Sequence, residues 1–525
     1  MLSVMAGLLL ALPWLNPFSG GPTPAVLPLL FSWICLLAVL GGGRVMAAGA
    51  LAAAGGAWLL AALISTGMGL LQYFGVSDYF FPWISTTAPG EAYANLRQRN
   101  QFATLTNIGL AALLWWVARP PAALALTPLA TPATQPAAML PHRHVATSFA
   151  SSSAALPAVA QRIACAGAAA LLAVGNAASS SRTGLVQLLL LLALAGLWAQ
   201  WRRPAVRPLL WVAALAYALA SATLPQLAGL DPSNTGILAR LQDGGPACAS
   251  RLTLWSNVLH LIAQKPWFGW GWGELDYAHF MTLYAGPRFC EILDNAHNLP
   301  LHLAVELGIP LALLVCGAGL WLVWRAKPWR ERDATRQMAW SVLALIMLHS
   351  LLEYPLWYGP FQMAVGLCIG LLWARPKTTA LDTVYRSKTI FPHVLYTLFA
   401  IVIVVFLACA TWDYHRISQI YLPPQDRAAA YRTHTLAKIQ GTWLFQSQVR
   451  FAELTVTPLT ADNAAHLNQL AHGLLHFSPE ARVVEKLVES AQMLGRGDEA
   501  QFFATRYQAA YPKEHGTWAL KKAPQ

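Results

Sequence analysis

The chain alternates between long apolar runs and short polar segments. An α-helix needs about 20 apolar residues to cross the hydrocarbon core of a bilayer, so these runs predict transmembrane helices. The first run lacks a basic start and a small-residue cleavage site, and we interpret it as a span and not as a signal peptide. The expected fold class is an all-α polytopic membrane protein with about eleven spans, at residues 2–15, 24–40, 46–70, 101–118, 162–178, 183–200, 208–226, 297–324, 337–352, 359–374 and 391–412.

Composition and charge support this interpretation. Hydrophobic residues make up 56% of the chain and charged residues 11%, whereas soluble domains are about 25% charged. With a cytoplasmic N-terminus, every short basic loop falls inside, for example the loop with Arg202, Arg203 and Arg207. The net charge of +12 is therefore attributed to membrane topology and not to nucleic-acid binding. The same topology puts the C-terminus outside.

Three segments are predicted to lie off the membrane. Residues 119–161 are rich in Ala, Pro, Ser and Thr, which is typical of a flexible cytoplasmic linker. The tail contains a run at 479–512 with helical periodicity, broken by GRGDEA and closed by a proline, which predicts a helical hairpin of the tetratricopeptide kind. The predicted domains are spans one to seven at 1–226, a large external loop at 227–296, spans eight to eleven at 297–412, and an external helical domain at 413–525.

Unusual polar residues collect on the predicted external face. Taken singly, each has an ordinary explanation, such as a snorkelling arginine, an interfacial aromatic ring or a structural histidine. Their co-location favours a shared site, because an ionisable group at membrane depth costs about 2.5–3.5 kcal/mol and normally faces a cavity or a partner. The residues are Arg99 and Gln101 in NLRQRNQFA, Arg182 in NAASSSRTG, Arg251 in RLTLW, His297 and Asn298 in DNAHN, and His349, Glu353 and Tyr354 in HSLLEYPLWYGP.

The chemistry available to such a set is limited. Arginines bind phosphate oxygens with two parallel hydrogen bonds, and a neutral histidine can take a proton from a hydroxyl group. The chain has no metal-binding motif of the paired-cysteine or DxD kind, and no nucleotide-binding glycine loop. A site that faces outward has no ready supply of ATP, so its substrate must already be activated. A lipid diphosphate in the outer leaflet fits both the arginines and the compartment.

Five motifs together resemble the Wzy/O-antigen ligase superfamily, namely RNQFA, SSSRTGLVQ, RLTLW followed by KPWFGWGWGE, DNAHNLPLHLAVELG and LLEYPLWY. The chain is similar, from about residue 95 to 510, to the bacterial protein O-oligosaccharyltransferases (PglL type, pilin glycosylation ligases). This resemblance implies an inner-membrane enzyme without metal or cofactor, whose active site faces the periplasm. Such enzymes transfer an oligosaccharide from undecaprenyl diphosphate to Ser or Thr of periplasmic proteins such as pilin.

The resemblance also implies roles for individual residues. His297 is the expected general base, and Arg182 and Arg251 are expected to hold the diphosphate as it leaves. Asn298, Tyr354 and Glu353 would orient the base or the donor, and Arg99, Gln101 and His349 are further candidates. A direct displacement would invert the anomeric centre, because no carboxylate is clearly placed as a nucleophile. Glu306, deeper on the same predicted helix, is expected to pair with His302 or with another helix.

Two of the seven cysteines stand apart from the predicted spans. Cys248 and Cys290 both lie in the large external loop, and an oxidising periplasm permits a disulfide that closes this loop near Arg251 and His297. The other five are expected to be small buried apolar residues. They are Cys35, Cys165, Cys316, Cys368 and Cys409.

Other functions remain open at this level. A lipopolysaccharide O-antigen ligase or a glycan polymerase would use the same chemistry on a different acceptor. A transporter or flippase for lipid-linked sugars should carry polar groups at the bilayer midplane and often an internal repeat, neither of which is evident. A scaffold that recruits partners through its helical tail does not explain the arginines. The pattern therefore favours an enzyme.

Overall fold

A computed structural model describes residues 2–119, 152–242, 246–373 and 391–522. The predicted linker at 119–161 lies largely outside these residues. All regular elements in the described ranges are helical, which confirms the all-α fold class. The helices of the first half are α1 Leu2–Leu15, α2 Val26–Gly41, α3 Gly43–Tyr73, α4 Arg99–Ala118, α5 Ser152–Ala178, α6 Arg182–Leu197, α7 Arg207–Leu227, α8 Gly236–Gln242, α9 Arg251–Gln264 and α10 Leu275–Met281.

The second half continues in the same way. Its helices are α11 Leu299–Leu307, α12 Ile309–Ala326, α13 Ala334–Ser350, α14 Gly359–Trp373, α15 Phe391–Ser418, α16 Thr435–Ile439, α17 Gln446–Val456, α18 Ala464–Leu474, α19 Ala481–Met493, α20 Gly497–Ala510 and α21 Pro512–Lys522. Every predicted span coincides with helical structure. The large loop at 227–296 is not irregular, since it contains α8, α9 and α10.

The chain is a multi-pass membrane protein. Within the described ranges, six helical stretches are long and apolar enough to cross a membrane, and α1, α2, α6 and α14 are shorter apolar helices. The count of eleven spans and the orientation in the bilayer stay predictions. The six stretches are Ala47–Tyr73, Arg99–Ala118, Val159–Ala178, Arg207–Leu227, Ile309–Arg330 and Ala400–Tyr421.

Helix α4 lies at the centre of the membrane bundle. It packs against α3, α5, α6 and α13, and its residues from Gln101 to Trp115 are all buried. Small residues allow this crowding, since a Cβ atom on Gly109 would lie 2.4 Å from Ala62 and one on Gly184 would lie 2.6 Å from Ala103. The start of α4 is consequently held on several sides, and this is where the RNQFA motif lies.

The predicted continuous span at 297–324 is wrong, because the helix breaks at Gly308. Helix α11 ends at Leu307, Gly308 has a φ of +87°, and α12 begins at Ile309. A glycine followed closely by a proline is a common helix C-terminus, but hydropathy alone does not detect it. The break separates a short, mostly buried helix next to the DNAHN motif from a longer helix that is almost entirely exposed on the outside of the bundle.

Residues 266–271 of the KPWFGWGWGE motif form a strap that crosses this break. The Trp270 and Gly271 N–H groups donate to the carbonyls of Val305 (2.8 Å) and Glu306 (3.0 Å). These carbonyls lie at the end of α11 and have no partner within the helix. Two glycines permit the close approach of the two backbones: a Cβ atom on Gly269 would lie 2.3 Å from the Glu306 carbonyl carbon, and one on Gly308 would lie 2.2 Å from the Trp267 oxygen. The strap therefore fixes α11 against the large loop.

The tail is a stack of helices in which each successive pair from α17 to α21 is in contact. The predicted hairpin is present as α19 and α20, joined by a turn at Gly495 with a φ of +72°. Pro512 was expected to close this run, and α20 does end at Ala510 just before it, while Pro512 itself begins the further helix α21. Proline is well tolerated in the first turn of a helix, where its missing N–H has no partner to lose. The tetratricopeptide kind stays a prediction.

The tail packs onto the large loop through α10. Phe280 of α10 belongs to the same buried apolar cluster as Leu487 and Tyr507 of the tail. His476 of the tail lies 2.7 Å from the Glu274 carboxylate, and its ring stacks on Tyr277 with centroids 3.9 Å apart. These contacts join the tail to the loop segment that leads to DNAHN.

Candidate active site

His297 lies in a tight turn between the large loop and α11. Its φ is +49°, a left-handed conformation that histidine adopts more readily than most residues. Two asparagines hold the turn: the His297 N–H donates to Asn295 Oδ1 (2.9 Å), and Asn298 Oδ1 accepts from the Leu301 N–H (3.1 Å) at the start of α11. Asn298 Nδ2 also donates to the carbonyl of Leu351 (3.0 Å). Asn298 thus orients the backbone that carries His297.

Glu353 contacts three other residues of the candidate site. One carboxylate oxygen lies 2.6 Å from His297 Nδ1, and the other forms an ion pair with Arg251 and accepts from Asn100 Nδ2 at 3.3 Å. Burial alone would raise the pKa of Glu353, but the hydrogen bond from His297 and the charges of His297 and Arg251 outweigh it and lower the pKa. The carboxylate is therefore ionised at neutral pH.

An ionised carboxylate can only accept hydrogen bonds, so Nδ1 of His297 carries a proton. In neutral His297 the lone pair is then on Nε2. About one fifth of the His297 side chain is exposed, so a substrate can reach it. An imidazole paired with a carboxylate in this way is an arrangement that general-base sites use.

A chain of hydrogen bonds joins four of the sequence motifs. Ser181 Oγ donates to Asn100 Oδ1 (2.6 Å), Asn100 Nδ2 donates to Glu353, and Glu353 accepts from His297. SSSRTG, RNQFA, EYPLWY and DNAHN therefore meet at one place. Ser181 Oγ also accepts from the Gly184 N–H (2.9 Å), which caps α6.

Buried polar side chains of α4, α6 and α13 lie next to this chain of hydrogen bonds. Thr104 Oγ1 lies 2.9 Å from His349 Nδ1, and Gln187 Nε2 donates to Thr104 (2.9 Å) and to the Leu345 carbonyl (2.9 Å). His349 is completely buried. It was a candidate site residue, but in the structure it faces Thr104, one turn before Glu353, and no surface is left for a substrate.

Three arginines form a cluster, which we call the arginine cluster, at the start of α6. Arg182 donates to the Arg240 carbonyl, and Arg240 donates to the Ser180 carbonyl (2.9 Å). Burial, with the charges of Arg99 and Arg182, lowers the pKa of Arg240. Arg99 is also paired with Glu91. Arg182 and Arg99 therefore share one region, whereas Arg251 lies beside Glu353.

Two tyrosines line the other side of His297. The Tyr354 ring meets the His297 ring edge-on, with centroids 5.0 Å apart, and its hydroxyl is hydrogen-bonded to Tyr358. The Tyr358 hydroxyl is in turn hydrogen-bonded to Gln101. Burial raises the pKa of both tyrosines, which keeps them neutral donors. Gln101 is itself buried and orients Tyr358.

The disulfide and the deeper acidic residue are also located. Cys248 and Cys290 are joined, with Cα atoms 5.3 Å apart, so the closed part of the large loop contains Arg251 and ends shortly before His297. Glu306 Oε2 lies 3.5 Å from His302 Nε2, and both side chains are buried. This agrees with the expected pairing of Glu306 with His302. Across the described ranges, no group of three or more His, Cys, Asp or Glu side chains could hold a metal ion.

Four residues that lie in the candidate active site were given no role from the sequence. They are Asn100, Arg240, Asp294 and Tyr358. Asn100, Asp294 and Tyr358 lie inside motifs that were recognised, and membership of those motifs was a usable signal. Arg240 gave no such signal, because it is one charge among several in a long loop.

Three family models match the chain. The model for the C-terminal part of the virulence factor membrane-bound polymerases matches residues 337–525, the O-antigen ligase model matches residues 167–316, and the protein glycosylation ligase model matches residues 92–117. The last two include the RNQFA and SSSRTG motifs and DNAHN. The first includes EYPLWY and the tail.

Two curated proteins of Acinetobacter baylyi are similar to parts of the chain. A general O-oligosaccharyltransferase is 29% identical over 164 residues, which is 29% of this chain and 28% of that protein. A ComP-specific O-oligosaccharyltransferase is 27% identical over 124 residues, which is 24% of this chain and 22% of that protein. The matched stretches thus span less than a third of either relative, and no solved structure matches. In its motifs, in these family models and in these two relatives, the chain is similar to the O-antigen ligases and to the PglL-type protein O-oligosaccharyltransferases.

Proposed function

We propose that this protein transfers a preassembled oligosaccharide from undecaprenyl diphosphate to Ser or Thr hydroxyls of periplasmic proteins, pilin-like proteins among them. The observation that carries the proposal is the His297–Glu353 pair, with its exposed imidazole and its neighbouring arginines. Both relatives are named as O-oligosaccharyltransferases, and one is named as specific for ComP. The reaction takes place at the periplasmic face of the inner membrane.

His297 acts as the base. Nε2 removes the proton from the acceptor hydroxyl while Glu353 stabilises the imidazolium that forms, since the carboxylate lies 2.6 Å from Nδ1. The acceptor oxygen forms a bond to the anomeric carbon of the first sugar. The bond between that carbon and the diphosphate oxygen breaks, and the electron pair leaves with the diphosphate.

Arginines hold the departing diphosphate. Negative charge builds up on its oxygens as the bond breaks, and guanidinium groups stabilise that charge more strongly than the charge of the ground state. Arg251 lies on the Glu353 side of His297, and Arg182, Arg99 and Arg240 form the arginine cluster. Arg251 exchanges part of its contact with Glu353 for a phosphate oxygen when the donor binds.

The transfer inverts the anomeric centre. Both oxygens of Glu353 already have partners in His297, Arg251 and Asn100. Glu353 therefore positions the base and does not attack the sugar. A single displacement by the acceptor oxygen follows, which changes an α-linked donor into a β-linked product or the reverse. Nuclear magnetic resonance of the product linkage tests this step.

A second acceptor class has a specific observation in its favour. The match of residues 337–525 to a membrane-bound polymerase model, with the match of residues 167–316 to an O-antigen ligase model, is compatible with a sugar hydroxyl as acceptor. The base and the arginines would work in the same way on a growing glycan or on a lipid A core sugar. The acceptor therefore has to be determined by experiment.

The test uses the purified full-length protein in lipid nanodiscs with undecaprenyl-diphosphate oligosaccharide and no added nucleotide or metal. Three acceptors are offered in parallel: a pilin-like protein, lipid A core and free glycan. Mass spectrometry detects the transferred glycan. The variants are His297→Ala and, as a matched control, His260→Ala, because His260 is an exposed histidine on α9 in the same loop.

Glycan on the Ser or Thr residues of the pilin-like protein, lost in His297→Ala and kept in His260→Ala, is the expected result. Glycan on lipid A core or on glycan alone would overturn the choice of acceptor. Full transfer by well-folded His297→Ala would overturn the mechanism.

A further inference from the structure

A cavity of about 460 Å³ lies between the tail, the large loop and the segment before α2. Aromatic rings of the tail line one side, with Phe451, Phe477 and Tyr421. Carboxylates of the loop and the tail line the rest, with Asp276, Asp294 and Glu480. The cavity is therefore built from parts of the chain that are distant in sequence, and nothing in the proposed mechanism uses it.

The cavity adjoins the catalytic base. Asp294 belongs to its wall and also to the DNAHN motif that carries His297. The charge of His297 acts on the Asp294 carboxylate, and Asp294 in turn acts on Tyr354 and Tyr358. A molecule bound in the cavity would therefore extend toward the imidazole that takes the proton.

The walls of the cavity are held in fixed positions. The tail and α10 share the buried cluster with Phe280, and Arg506 of the tail donates to the Met281 carbonyl (3.0 Å). The wall that comes from α17 includes Phe451, which is 8% exposed. Packing of this kind preorganises a site, because the side chains do not have to be ordered when the ligand binds.

The charge of the cavity is opposite to that of the arginine cluster. Three carboxylates and no Lys or Arg side chain line it, while Arg482 lies beside the wall, paired with Glu480 and over the Phe451 ring. Burial raises the pKa of Asp276 to about 7 and also raises the pKa of Asp294, so a bound cation would hold both carboxylates in their ionised form. A diphosphate would be repelled here, whereas a cation with an apolar neighbour would gain both an ion pair and an aromatic contact.

We propose that this cavity binds the segment of the acceptor protein that flanks the modified Ser or Thr, and that it selects segments carrying Lys or Arg next to an apolar residue. This inference rests on the proposed function and adds the acceptor-specificity site. The lipid donor approaches from the arginine cluster, and the acceptor approaches from the tail. The two substrates then meet at His297 from opposite sides.

The test compares two synthetic peptides with the same central Ser, one flanked by Lys and the other flanked by Glu, in the nanodisc assay. Each is measured with the wild type, with Glu480→Lys and with Asp462→Lys. Asp462 is an exposed carboxylate of the tail and is not part of the cavity wall. Glu480→Gln is the milder second variant, because Glu480 also pairs with Arg482.

The expected wild-type result is a preference of about tenfold or more in kcat/KM for the Lys-flanked peptide. Glu480→Lys should lower kcat/KM for the Lys-flanked peptide about tenfold, because the KM for that peptide rises while the KM for the lipid donor stays unchanged. Glu480→Gln should have a smaller effect in the same direction. Asp462→Lys should behave as the wild type.

Three outcomes would overturn the inference while the proposed function stands: equal use of both peptides by the wild type, an equal effect of Asp462→Lys, or a raised KM for the lipid donor in Glu480→Lys. The last would assign the cavity to the donor glycan. If the wild type transfers glycan to neither peptide nor any acceptor protein, the proposed function itself fails, and the acceptor site fails with it.

Discussion

His297 Nδ1 and Glu353 Oε2 lie 2.6 Å apart, although 56 residues separate the two side chains in the chain. The pairing brings the end of the large loop to the end of α13. It decides which imidazole nitrogen carries the proton, and so it decides which nitrogen can act as a base. The other carboxylate oxygen pairs with Arg251, so the proposed base and the proposed phosphate-binding arginine share one support.

Glu353→Gln should lower kcat by about 10²- to 10⁴-fold, the range of general base catalysis. The amide can donate to Nδ1 and so favour the wrong tautomer, and it cannot stabilise the imidazolium. Steady-state transfer assays measure kcat. Glu331→Gln is the control, because Glu331 is a partly buried, arginine-paired carboxylate before the other end of α13. Wild-type kcat in Glu353→Gln would exclude Glu353 as the positioning residue.

Arg240→Ala should raise the KM for the lipid diphosphate donor about 10- to 100-fold, the effect of losing a charged hydrogen bond to phosphate. Arg182→Ala should act in the same direction, and the acceptor KM should stay the same. Arg203→Ala is the control, since Arg203 follows the far end of α6. A donor KM that is unchanged in both variants would remove the arginine cluster from the donor site.

Gly269→Ala should destabilise the protein by more than about 2 kcal/mol, because strain from a positive φ adds to an overlap with the backbone of α11. Gly273→Ala is a matched control in the same motif. Its φ is also positive, at +78°, but nothing lies within 4 Å of the added Cβ atom. Thermal unfolding followed by tryptophan fluorescence compares the two. Equal losses would show that the strap does not depend on close backbone approach.

Removal of the disulfide by Cys248→Ser with Cys290→Ser should cost about 2–4 kcal/mol, since the bridge closes a long loop between cysteines that are 42 positions apart. Transfer activity should fall as well, because Arg251 lies within the closed loop and His297 follows shortly after Cys290. Each single variant should behave like the double variant once stray thiols are blocked. A double variant with wild-type melting temperature and activity would contradict this role.

Asp276 should make stability fall as pH rises from about 4 to about 7. Burial raises the pKa of Asp276 to about 7, so the folded state binds a proton that the unfolded state releases near pH 4. The stabilising contribution is complete below pH 4 and is lost as pH rises through 7. Asp276→Asn should reduce the difference in melting temperature between pH 5 and pH 8. Asp498→Asn, at an exposed carboxylate on α20, should leave it unchanged.

The helices were predictable and the contacts between them were not. Every apolar run that predicted a span coincides with helical structure. A helix must be about 20 apolar residues long to cross a bilayer, and runs of that length are visible in the sequence. The break at Gly308 was missed, since hydropathy averages over a single glycine. Asn100 and Arg240 were missed for another reason: their partners Glu353 and Ser180 are distant in sequence, and no local pattern encodes a hydrogen bond between helices.

The motif residues were partly predictable. Glu353 was a candidate because of EYPLWY, but its contact with both His297 and Arg251 depends on how α9, α11 and α13 pack. His349 in the same motif was a candidate too, and packing buries it completely. His349 and Glu353 are therefore only about one helical turn apart but have different surroundings. The neighbouring helix α4 determines this difference, because Thr104 contacts His349 and Asn100 contacts Glu353.

The hydrogen-bond chain through Ser181, Asn100, Glu353 and His297 has a consequence for biogenesis. Ribosomes deliver these residues in the order Asn100, Ser181, His297 and Glu353, and a membrane helix packs only after it has been synthesised. The histidine thus reaches its compartment before the carboxylate that orients it. A nascent chain that ends before Glu353 contains His297 but not the carboxylate that orients it, so the proposed base becomes aligned only after Glu353 has been synthesised.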